Sequence, residues 1–82
     1  MADQLPLGSP EHALCLNQLR ALASNDNNPT LTPWERIWIR NQEIRLDEWG
    51  ESTLISHRES SVLDQLVKKL NLFVPPAPAN NN

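Results

Sequence analysis

The stretch Thr32–Gly50, TPWERIWIRNQEIRLDEWG, decides how the chain folds. It opens with Thr32 as an N-cap, Pro33 at the first helical position and Glu35 three residues after the cap. That is a capping box with proline where its missing N–H costs nothing. Gly50 supplies a stop, because glycine tolerates the left-handed conformation at a helix end. The spacing predicts a helix over 33–49. Leu31, just ahead of the cap, is placed to pack back on Trp34 or Ile37 as a staple.

The faces of this helix are uneven. At about 100° per residue, Trp34, Trp38 and Trp49 fall within a sector of roughly 60°, and Arg45 projects into it. Ile37 and Ile44 lie on one side of that sector, Ile39 and Leu46 on the other. Together they form an apolar arc over more than half the circumference. A surface helix needs a stripe of only ~100° or a little more. The helix is therefore expected to contact neighbours on two sides, or to keep part of its face for a partner. Arg36, Arg40, Glu43 and Asp47 make a charged pole read as a solvated, mutually paired surface.

Working outward, Ser24–Pro29 (SNDNNP) is a run of turn formers and marks a loop. Before it, Ser9 and Pro10 start a first helix over 10–23, with Leu16, Leu19 and Ala23 on one stripe and Cys15 and Leu22 beside it. After Gly50, Leu54 and Ile55 are expected to pack under the helices. A short strand there would have no obvious partner. Ser56 with Glu59 reads as a second capping box, with Ser60 or Ser61 as a later start. Val62, Leu63, Leu66, Val67, Leu70 and Phe73 recur at threes and fours, so a third helix is expected over 56–73, stopped by Pro75. Residues 1–8 and the proline- and asparagine-rich 75–82 are expected as disordered tails. The fold class is all-α: a small three-helix bundle over residues 9–74.

The 82 residues allow one small core, and near 60 residues a domain buries only about 60% of its unfolded surface. Self-association or a partner would offset that. The formal net charge is −3 and no basic run exists, so the footprint of phosphate neutralisation is missing. Nucleic acid is therefore disfavoured. A helix-turn-helix over the second and third helices, with Arg58, Ser60 and Ser61 toward bases, stays open as an alternative. No stretch has the ~18 apolar residues of a membrane span, and Met1–Pro10 lacks the pattern of a secretory signal. A lone cysteine, Cys15, excludes an internal disulfide and favours a reducing, cytoplasmic setting.

Chemistry is sparse. His12, one turn before Cys15, could approach the thiol, but free cysteine is most often a small core residue. His12, Cys15 and His57 fall short of the four ligands of a structural zinc site. With glycine only at positions 8 and 50, no phosphate loop can form. Ser56 and His57, as neighbours, are no triad. The residues indicate no enzyme, no cofactor and no metal. Trp and Arg dominate binding hot spots. The chain thus reads as a non-catalytic, protein-binding regulator, an adaptor or an inhibitor, of the kind found among accessory proteins of phages and mobile elements. Its candidate contact residues are Trp34, Trp38, Arg45, Trp49, Leu66 and Leu70. A homodimer, with the third helix as its seam, is the other binding mode considered.

Overall fold

The computed structural model describes residues 3–75. It is an all-α bundle of three helices: α1 (Pro10–Ala23), α2 (Pro33–Trp49) and α3 (His57–Leu70), with a single 3-10 turn, Gly50–Ser52, after α2. Helix α1 packs against both α2 and α3. Leu16, Leu19 and Leu22 of α1 meet Leu31, Ile39, Ile55, Leu63 and Leu66 in one core. Among the described residues no helix is long and apolar enough to cross a membrane.

Each helix start follows its local chemistry. The Ser9 hydroxyl accepts from the His12 amide at 3.1 Å. Thr32 Oγ1 accepts from the Glu35 amide at 3.2 Å, and Glu35 Oε1 accepts in return from the Thr32 amide at 2.8 Å. Ser56 and Glu59 repeat the exchange at the head of α3, at 3.0 and 2.9 Å. Both boxing glutamates also take a cation from the other helix. Lys69, near the end of α3, reaches Glu35 at 2.6 Å. Arg45, in the second half of α2, reaches Glu59 at 2.8 Å. The two pairs hold α2 and α3 in opposite senses, clamped near both ends.

The bounds differ from expectation at α3. The helix stops at Leu70, because Asn71 adopts the left-handed conformation (φ 55°, ψ 48°). The Asn71 amide then donates to Lys68 O and the Leu72 amide to Val67 O, both at 3.1 Å. This is a Schellman closure, with Val67 and Leu72 both packed on the core beneath it. Pro75 is not the stop. Phe73, expected on the apolar face of α3, is 82% exposed.

The N-terminal boundary moves the other way. Residues 1–8 were expected to lie outside the domain, yet Asp3–Leu5 belong to it. Gln4 forms an antiparallel bridge with Ser56. The Leu5 amide donates to Ile55 O at 2.8 Å, and the His57 amide donates to Asp3 O at 2.9 Å. Leu5 is buried in the core with Ile55, while Leu54 stays exposed. The 53–56 connection thus has a pairing partner, the start of the chain. Residues 1–2 and 76–82 lie outside the described residues, and with them nearly all of the expected C-terminal tail.

Candidate interaction surface

The six candidate contact residues separate in the structure. Leu66 is fully inside the core, and Leu70 is half-buried against it. A seam built on α3 would need Leu66 to turn outward, so the apolar face of α3 is used up within the chain. Trp38 is also half-buried on the core. Arg45 is held by the fold. Its guanidinium donates to Gln42 Oε1 at 2.7 Å, to Glu59 at 2.8 Å and to the Leu54 carbonyl. Three elements are tied by this one side chain, so most of its donors are spent within the fold.

Trp34 and Trp49 remain open. Trp34, Ile37, Ile44 and Trp49 are 57–63% exposed, all on α2. Only Ile39 and Gln42 of that helix are buried, on the side facing α1. The helix is therefore covered on one side, and its outer side carries the surplus apolar arc. Leu31 does not staple Trp34 or Ile37; it drops into the core and leaves both exposed.

This arc forms two features. At the end of α2, Trp49 and Leu54 flank a cleft of about 350 Å³, with Arg45 and Ser52 completing its walls. It exists because Gly50 takes a positive φ of 56° and turns the chain sharply from helix to 3-10 turn. On the outer side, Pro33, Arg36, Ile37 and Arg40 line a shallower hollow of about 310 Å³.

The charged pole of α2 is bonded to the loop ahead of it, not to itself. Arg36 donates to Asp26 O at 3.2 Å and to Asn28 O at 3.1 Å. Arg40 stands 3.9 Å from the Asp26 carboxylate. Glu43 lies beside Asp26, and its Oε2 is buried without a partner. Burial, then the Asp26 carboxyl, then Asp47 raise the Glu43 carboxyl above its ordinary value, against the pull of Arg40. A carboxyl with a raised folded-state value stabilises the fold below its unfolded value and loses that contribution as pH climbs through the folded one. Glu43 therefore costs stability at neutral pH. Glu43→Gln is expected to raise stability there by about 1 kcal/mol, with the gain shrinking in mild acid. Glu35 runs opposite. The Lys69 hydrogen bond lowers its carboxyl, so its contribution is present at neutral pH and fades as pH falls. Glu35→Gln should lower stability at neutral pH. Urea melts of both variants across pH check the pair, and gains or losses of the same sign would refute the assignment.

Cys15 and His12 take structural places. Burial, then Glu11 and Asp64, push the Cys15 thiol up, away from the thiolate a nucleophile needs. His12 is buried, and its Nε2 lies 2.8 Å from the Thr53 carbonyl. A carbonyl only accepts, so Nε2 carries the hydrogen and Nδ1 accepts from the Gly8 amide at 3.4 Å. His12 thus pins the N-terminal segment and the 53–56 connection to α1. Sequence reasoning missed this role, since a histidine on a helix does not announce a partner 41 residues away. Among the described residues no three His, Cys, Asp or Glu side chains gather as metal ligands. Comparisons with protein-family models, with curated proteins and with solved structures gave no match to this chain.

Proposed function

We propose that the chain is a non-catalytic protein-binding module, an adaptor or inhibitor that docks on a larger protein through the end of α2. One observation carries this reading: the cleft of about 350 Å³ walled by Trp49 and Leu54, two large apolar side chains left open in a chain with little core to spare. Hot spots are aromatic anchors beside well-packed pockets, and this cleft offers both parts. Its occupant is an apolar side chain of the partner. The net charge of −3 favours a partner whose rim is basic.

The cations do not favour the DNA-binding alternative. Of the three in α3, Arg58 is exposed, whereas Lys68 pairs with Asp64 at 3.0 Å and Lys69 with Glu35 at 2.6 Å. Both are partly neutralised before any phosphate arrives.

The test is a tagged pull-down with nuclease present, comparing the unaltered chain with Trp49→Ala and Leu54→Ser. Both positions are exposed, so far-UV circular dichroism should not change. A stoichiometric protein held by the unaltered chain and lost by both variants is the expected result, a drop in affinity of about thirtyfold or more at a true anchor. Retention by both variants, or capture of nucleic acid alone, would refute the reading.

A further inference from the structure

The outer side of α2 has a sign pattern that the rest of the helix does not share. Glu35 faces the core side and is bonded to Lys69. Arg45 is bonded to Glu59. Glu43 lies against Asp26. Removing these leaves Arg36, bonded only to neutral loop carbonyls, and the exposed Arg40, loosely paired with Asp26 at 3.9 Å, in the first half of the outer side, and Asp47 and Glu48 in the second. Between them runs the uncovered row Trp34, Ile37 and Ile44, with Asn41 at its middle. A parallel neighbour would set like charge on like. An antiparallel copy of the same helix sets each half against its opposite.

We propose that a second copy of this chain covers this row, with the two α2 helices antiparallel about a two-fold axis between Arg40 and Asn41. In that register Ile37 of each protomer lies level with Ile44 of the other, so every contact occurs twice, as a two-fold interface requires. The hollow lined by Pro33, Arg36, Ile37 and Arg40 is centred level with Ile44 of the second copy. Ile44 enters it, and the exchange is reciprocal. Arg36 comes within ~3 Å, along the helix axis, of the level of Asp47 on the same flank of the seam. Glu48 lies level with Pro33 at the other helix's N-terminal end, where the helix dipole favours an anion. Arg40 meets its own copy across the axis, and the Asp26 carboxylate 3.9 Å from each guanidinium offsets the like charges. The Trp49–Leu54 cleft lies beyond this seam and stays open, so self-association and docking on a larger protein are separate properties of one helix.

Sedimentation equilibrium over about a hundredfold dilution reads the association directly. The expected result is twice the chain mass at high concentration and a return to the monomer on dilution. Ile37→Asp and Ile44→Asp each weaken association by about tenfold or more, with helicity unchanged because both side chains are exposed. In a Cys15→Ser background, Asn41→Cys forms a disulfide dimer under mild oxidation, because the two copies of position 41 face each other across the axis. Gln65→Cys, exposed on α3, does not. A monomer at every concentration would overturn the proposal, as would a dimer indifferent to Ile37→Asp and Ile44→Asp and not linked through position 41. Neither result touches the cleft. Loss of a captured protein in Trp49→Ala with the mass unchanged would leave both readings standing, and each can fail alone.

Discussion

His12→Ala is expected to remove most of the stability of the domain, about 3 kcal/mol. The ring is 1% exposed, so alanine leaves a void among packed side chains. It also leaves the Thr53 carbonyl without the Nε2 hydrogen 2.8 Å away. An orphaned buried acceptor costs about 1–3 kcal/mol, and the void adds to it. A core of this size rarely yields more than about 3–5 kcal/mol in total. At roughly 4–8 °C per kcal/mol, the melting midpoint should drop by more than 10 °C. His12→Gln keeps an N–H at nearly the reach of Nε2 and should recover part of the loss. Chemical denaturation of the three proteins decides it. A loss in His12→Ala below about 1 kcal/mol would mean that the Thr53 contact is incidental. Equal losses in both variants would mean that only ring volume matters.

The helices were legible because their ends are written locally. Thr32, Pro33 and Glu35, or Ser56 and Glu59, declare a start within a span of three residues, and the capping bonds form between those same residues. The 3.6-residue period then fixed which side of α1 and α3 turns inward. What could not be read depends on residues far apart in the chain. The end of α3 is the local exception: Asn71 takes the left-handed C′ place four residues ahead of Pro75, a role asparagine fills less often than glycine, while the apolar period runs on to Phe73. Arg45 carries the composition of a hot spot but is taken by Glu59 and the Leu54 carbonyl, partners that only the tertiary fold brings near. Leu66 and Leu70 were read as available because their face is apolar, and α1 covers that same face. Of the candidate surface, Trp34 and Trp49 are the two tryptophans left exposed, which the sequence left open between core and interface. They sit at the two ends of α2, 62% and 59% exposed.

Leu5→Ala is the prediction that separates a tail from a part of the core. Leu7, two residues on, is 54% exposed, whereas Leu5 is 4% exposed. The two leucines flank the same proline, Pro6, so a loose segment would treat their truncation alike. The structure does not. Leu5 lies among the core side chains, and its amide is bonded to Ile55 O at 2.8 Å. Leu5→Ala should therefore cost about 2–4 kcal/mol, and Leu7→Ala less than about 0.5 kcal/mol. The consequence extends along the connection. Asp3 and Leu5 supply the hydrogen bonds that hold Ile55 and the head of α3. Ser56 is both the partner of Gln4 and the N-cap of α3. Losing the Leu5 anchor should speed hydrogen exchange at the Leu5 and His57 amides before it does so within α1. Because Arg45 bridges α2 to the Leu54 carbonyl beside this pairing, the wall of the Trp49–Leu54 cleft should loosen with it. Equal melting curves for Leu5→Ala and Leu7→Ala would place the whole segment outside the domain, and the cleft would then stand on α2 and the 3-10 turn alone.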